Sequence, residues 1–247
     1  MGAAQRRPLS AERVTAAALR LVDRRGLDAL SMRRLGTALG VEAMSLYKHV
    51  PSKPALLELL VERVLADVVP PPAGASWEAR LRHVADELRR VSLAHPHVFP
   101  LLATRVPASA HGLAPLEAAL AALADAGLDD AAVVRHFWTF VAWLTGALLS
   151  ETAAATGAGQ ASIEVPPDLD TAAFPALARF GARIAACDFA EEYARGLEVL
   201  IDAVRAAARP RPVRSKHPEG RRFVVGDAAA DVNPARRGPA RRRRPPV

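Results

Sequence analysis

The feature that most constrains this chain is a helical repeat of small and branched apolar residues that begins almost at once. Val14, Ala17, Ala18, Leu21 and Val22 recur at i, i+3, i+4, i+7 and i+8. The same period returns in Leu56, Leu57, Leu60, Val61, Val64 and Leu65, and again in Val133, Phe137, Phe140, Val141, Leu144 and Leu148. Aromatic residues make up only 5% of the chain and few stretches alternate as strands do, so an all-α fold is predicted. With 247 residues and 51% hydrophobic content, the chain can bury a real core.

Caps and breakers divide the pattern. Ser10 and Gly26 bracket a helix over 9–25, Ser31 and Gly40 a short one over 32–39, and Pro51 ends another over 43–49. Ser52 caps a fourth helix, which runs to about Val68 and stops at Pro70, Pro71 and Pro72. Further helices are predicted over 77–94, 98–104, 115–126, 129–156, 171–186 and 189–208, with a Gly/Ala/Pro loop over 157–170. The proline run sets a domain boundary, giving units 1–68 and 69–208. Residues 209–247 are rich in Pro, Arg and Gly and too poor in apolar groups to bury, so they are expected to be a disordered tail; Phe223, Val224 and Val225 are a brief apolar exception within it.

The net charge of +7 is unevenly spread. Residues 1–68 hold 11 Lys/Arg against 7 Asp/Glu, residues 69–208 hold 10 against 16, and residues 209–247 hold 12 against 3. A polyanion partner for the ends and a different task for the acidic middle follow most simply. The tail either adds non-specific DNA affinity through counterion release or is a solvated extension; composition leaves both open. Cys187 is the only cysteine, so neither a disulfide framework nor a cysteine zinc site is available, which suits a reducing cytoplasm. The first residues, Met1 to Pro8, lead into an amphipathic segment without an unbroken apolar stretch of signal-peptide or membrane-spanning type, so the chain is expected to be soluble and unexported, with no membrane partner.

The segment from Ser31 to Val50 carries the function. Two short helices joined by Gly40, Val41 and Glu42 form a compact unit whose second helix can enter a major groove while the first crosses the backbone. Leu35, Leu39, Val41 and Leu46 should face inward, leaving Ser45, Tyr47, Lys48 and His49 to point elsewhere, with Arg33, Lys48 and Lys53 as rim cations. The period alone is equally compatible with two helices of an ordinary bundle.

Residues 9–68 resemble the DNA-binding domain of the TetR family of transcriptional regulators. The likeness rests on Ala18-Leu19-Arg20-Leu21-Val22, Gly26-Leu27, Leu30-Ser31-Met32-Arg33, Leu35-Gly36, Leu39-Gly40-Val41, Ser45-Leu46-Tyr47-Lys48-His49-Val50, and Lys53 with Leu56-Leu57. It implies a homodimer whose two recognition helices read the halves of a palindromic, double-stranded operator in grooves about 34 Å apart. It places DNA contacts at Ser31, Arg33, Ala43, Met44, Ser45, Tyr47, Lys48 and His49, and a phosphate contact at Lys53. Ala43 and Met44 cannot form bidentate base hydrogen bonds, so apolar contacts and Ser45 and Tyr47 would do the base reading.

The stretch from Trp77 to Ala208 is similar to the C-terminal domain of the tetracycline-repressor branch, through residues 101–107 and 144–149. That resemblance implies a helical bundle for ligand binding and dimerisation, with helices 129–156 and 189–208 at the interface. Trp138 and Trp143 are expected to pack in the core or interface rather than stack on a ligand. Leu101 and Ser150 stand where that branch places a histidine and an acid for magnesium-bound drug, and Glu151 is adjacent; magnesium-tetracycline is therefore not the expected effector. His95, His97, Thr104, Arg105, His136 and Trp138 are candidates to line a pocket for another small molecule, although His95 and His97 could equally flank Pro96 in an exposed turn.

No phosphate-cradling glycine loop, nucleophile elbow or His-Glu-x-x-His motif occurs, so no enzyme, cofactor or metal is expected. The competing expectations are an effector-independent architectural DNA binder and a helical enzyme.

Overall fold

The structure, a computed structural model, describes residues 8–105, 109–157, 166 and 168–208. The basic tail with its Phe223 segment, and most of the 157–170 loop, lie outside the described residues. Among the described residues the chain is helical and contains no strand.

Helix α1 (Ala11–Arg25) starts where the Ser10 hydroxyl accepts the Arg13 amide at 3.2 Å, and stops at Gly26, whose φ of 75° few side chains tolerate. A single 3-10 turn (Leu27–Ala29) leads to α2 (Met32–Leu39), then α3 (Ala43–Tyr47) and α4 (Lys53–Leu65). These four helices close on Val14, Val22, Leu35, Leu46, Leu56 and Leu60, each with no exposed surface. Val91 and Val98, from further along the chain, complete that cluster.

Behind it lie α5 (Trp77–Ala94), α6 (Phe99–Thr104), α7 (Ala110–Asp125), α8 (Asp130–Thr156), α9 (Pro175–Ala185) and α10 (Phe189–Ala208). A second cluster joins α5, α7, α8 and α10 through Leu81, Val84, Leu123, Leu148, Leu197 and Ile201.

Several boundaries differ from the expected ones. Helix α7 begins at Ala110 rather than 115, because the Ser109 hydroxyl caps it by accepting the Gly112 amide at 3.1 Å. Pro115 is therefore interior, giving up one amide bond while its ring is buried. Helix α9 begins at Pro175 rather than 171, because Asp170 Oδ1 accepts the amides of Ala172 and Ala173 at 3.0 and 3.3 Å and holds a turn there. Helix α3 ends at Tyr47 rather than His49, the amides of His49 and Val50 both converging on the Leu46 carbonyl at 2.9 Å.

Helix α8 is long and apolar enough to cross a membrane by length and composition alone, a test that a core helix also passes; its mean hydropathy is 1.3, and 28% of that window is buried within the chain. Among its exposed side chains, Val134 and Trp138 are more than half accessible, so Trp138 does not sit in the core.

The connection from α4 to α5 is clamped by side chains of α5. Glu87 accepts the Val69 amide at 2.9 Å and pairs with Arg90, His83 meets the Val69 carbonyl at 2.9 Å, and Arg90 donates to the Asp67 carbonyl at 2.6 Å. The Arg90 hydrogen bond, helped by the Val69 amide, pulls the Glu87 carboxyl down from 4.5 to about 2. A depressed acid stabilises the fold fully above its unfolded pKa and loses that contribution as pH falls through the folded value. Glu87→Gln should therefore lower stability by about 1 kcal/mol at pH 7. In paired thermal melts the difference should shrink between pH 4.5 and 2; a gap that persists through that window would overturn the assignment.

Candidate nucleic-acid interface and the cavity behind it

The interface is built from α2, α3 and the first residue of α4. Ser31 caps α2 by accepting the Arg34 amide at 3.2 Å. At the other end Gly40 adopts the left-handed conformation (φ 68°, ψ 35°), and the amides of Gly40 and Val41 return to the carbonyls of Thr37 and Gly36 at 3.2 and 3.0 Å. That closure turns the chain sharply into α3. The turn comes so near α2 that a Cβ on Gly36 would stand 2.8 Å from the Val41 carbonyl oxygen.

Leu46 is the fully buried residue of α3, as Leu35 is of the α2 core, while Leu39 and Val41 are only partly buried. With Leu46 as the anchor, Met44 (73% accessible) and Tyr47 (41%) stand outward. Lys48 and His49 are exposed in the turn after α3, Arg33 is exposed on α2, and Lys53 is exposed at the first position of α4, where Ser52 caps the helix by accepting the Ala55 amide. Ser31, Ala43 and Ser45 are half-buried. Among the described residues no ion pair neutralises Arg33, Lys48 or Lys53, so three cations border one exposed short helix.

Between α4 and the second cluster lies a cavity of about 380 Å³, within the range of small-molecule sites. Thr104, Arg105 and Trp138 line it; His95, His97 and His136 do not. His95 Nδ1 instead meets Asp23 of α1 at 3.0 Å, the His97 ring lies beside Gly26, and His136 faces a small void near Leu81 and Ile201. The wall is completed by Val61 and Leu65 of α4, by Phe99, and by Phe137, Phe140 and Thr145 of α8. The sequence contains no mark separating these from ordinary core residues, except a threonine at 145 within an apolar stripe.

A second, more open hollow of about 660 Å³ runs between α8 and α10. Trp143 stacks on Tyr193 there and lies against Gly196, where a Cβ would be 2.6 Å from its Nε1. Beside it Arg89 grips Glu151 through two hydrogen bonds of 2.8 and 2.5 Å, so the acid next to Ser150 is already engaged. Burial beside Asp86 pushes the Tyr193 phenol well up, keeping it neutral.

Residues 70–208 match the family model for the tetracycline-repressor-like C-terminal domain, and residues 14–60 match that of the TetR family of bacterial regulatory proteins. The chain belongs to the TetR family. It is 37% identical over 145 residues to an HTH-type transcriptional regulator of Saccharopolyspora erythraea, covering 58% of this chain but only 61% of that relative's length. A class A tetracycline repressor from Escherichia coli is 31% identical, with 77% and 88% of the two chains covered. Among solved structures, the TetR-family protein ActR of Streptomyces coelicolor in complex with actinorhodin superposes with a TM-score of 0.68 at 29% identity, over 82% of this chain and 99% of that one. The N-terminal TetR match spans the interface helices α2 and α3, and the C-terminal match contains most of the cavity wall. The TetR-family relatives are transcriptional regulators rather than enzymes.

Proposed function

We propose that this TetR-family regulator is a cytoplasmic, dimeric repressor that reads a palindromic operator and is released from it by a small molecule. The observation that carries the proposal is α3: Leu46 locks it to its own subunit while Met44 and Tyr47 stand free of it, flanked by the unneutralised Arg33, Lys48 and Lys53. Cations of this kind suit phosphates, and the exposed apolar and aromatic groups suit thymine methyls and base edges. Ser31, Ala43, Ser45 and His49 complete the proposed contact set. Residues 1–68 then form the reading head and 69–208 the sensing and pairing unit.

A partner subunit accounts for the apolar surface left open on α8 and α10. Val134, Leu149 and Val199 are exposed on these two helices, and Val199 lines the hollow together with Gly146 and Ala147; nothing lies within 4 Å of a Cβ on Gly146, so a second helix can approach closely there. Pairing of these helices in two copies gives the twofold symmetry that a palindrome requires. The cavity, with a polar minority in an apolar wall, accommodates the effector.

Selection from a random duplex library tests this. Enrichment of a two-half-site palindrome with half-sites about one helical turn apart is expected; enrichment of a single asymmetric site, or none at all, would overturn the dimeric-reader proposal. On the selected site, Tyr47→Ala should weaken specific binding roughly tenfold to a hundredfold while leaving the melting temperature unchanged. Lys53→Ala should weaken binding on every sequence alike and flatten the salt slope by about one unit in anisotropy titrations; an altered base preference would refute a phosphate role.

A further inference from the structure

We infer that the cavity takes an apolar, ring-bearing acid, and that the acid's anionic group competes with Glu58 for the Arg105 guanidinium. The inference deepens the effector site proposed above and rests on it. Phe99, Phe137, Trp138 and Phe140 give the cavity an aromatic wall, suited to a ligand with rings. Among the described residues lining it, Arg105 is the one that carries charge and none is an acid, so a cationic ligand would meet repulsion there.

Arg105 is also under-used. Its pairing with Glu58 of α4 spans 3.8 Å, and the Glu58 side chain is 69% accessible while that of Arg105 is 32%. An exposed pair at that separation holds its partner weakly. A carboxylate or sulfonate seated in the cavity would meet the same guanidinium in a drier place, where a forked, charge-assisted hydrogen bond is shorter and stronger. The other polar wall groups favour the same class. The Thr104 hydroxyl already donates to the Pro100 carbonyl at 2.9 Å, which leaves Arg105 as the main donor at that end. Thr145 has no hydrogen-bond partner among the described residues and can donate to a second ligand oxygen. The competition reaches the other unit directly: Glu58 sits on α4 between Lys53 at its start and the cavity-wall residues Val61 and Leu65.

Two dyes that share their rings and differ in charge test the inference on the full-length protein: anilinonaphthalenesulfonate and the uncharged phenylnaphthylamine. Fluorescence titrations should show that Arg105→Gln weakens the sulfonate about tenfold while changing the neutral dye less than about twofold. Arg105→Lys should fall between, keeping the charge but losing the fork. Glu58→Gln should strengthen sulfonate binding about threefold by removing the competitor, and leave the neutral dye unaffected. Thr145→Trp, which fills the cavity, should suppress both dyes, with circular dichroism confirming that each variant remains helical. If both dyes bind in the cavity but Arg105→Gln weakens them equally or not at all, the acid specificity is overturned and the effector site stands. If neither dye binds, or Thr145→Trp changes nothing, the effector site falls and the inference with it.

Discussion

Leu46→Ala should destabilise the N-terminal unit by roughly 2–5 kcal/mol and abolish operator binding along with it. Leu46 is fully buried, and the other α3 residues are half-buried or exposed, so nothing else in the helix can take over the anchor. A five-residue helix has no independent stability and survives only through its packing. The loss is a large fraction of the stability of a small domain. Differential scanning calorimetry should register it as a lowered or separate first transition, and an unchanged thermogram would mean that α3 is not held by Leu46. The neighbouring Tyr47→Ala variant makes the contrast sharp, since the same truncation one residue along should spare the fold and remove only recognition.

Gly36→Ala is expected to be nearly as damaging, for a different reason. The added methyl would collide at 2.8 Å with the Val41 carbonyl oxygen and at 3.2 Å with the Ala43 amide nitrogen, both backbone atoms that cannot rotate away. The turn must open, tilting α3 against α2, at a cost of roughly 1–3 kcal/mol. Operator affinity should fall more than tenfold, which corresponds to about 1.4 kcal/mol. Gly40→Ala is the control: nothing lies within 4 Å of its Cβ position, and its penalty comes only from a φ of +68°. Anisotropy titrations that rank Gly40→Ala above Gly36→Ala in damage would reject the collision.

The helices that could be placed from sequence are those whose caps are side chains followed by a clean apolar period. Ser10, Ser31, Ser76 and Asp129 each accept an amide at the start of the helix they precede, and α2, α5, α8 and α10 have the bounds expected within a residue. Pro115 misled at α7 because a proline suits a first turn, yet Ser109 six residues earlier supplied the real cap. At the interface, the exposure of Tyr47 and Lys48 follows from the phase set by Leu46, whereas that of His49, three residues on and so on the Leu46 face of a longer helix, depends on the helix ending at Tyr47, and the partial burial of Ser45 depends on neighbouring elements. The cavity was the least legible part. An apolar residue facing a gap and one facing another side chain have the same composition and period, so Phe137 and Val61 look alike until the helices are packed. The histidines at 95, 97 and 136 show the converse, because a polar side chain in a helical domain can be occupied by a distant carboxylate such as Asp23 or by a neighbouring wall.

Helix α4 begins at Lys53 on the proposed DNA side and flanks the cavity with Val61 and Leu65, so in the proposed regulator one rigid element would belong to two binding equilibria. Linkage then imposes a symmetric demand: whatever factor a ligand subtracts from the affinity for duplex, the duplex must subtract from the affinity for ligand. A saturated promoter is thus the form of the protein hardest for the small molecule to occupy, and the inducing concentration in a cell rises with the number of sites held.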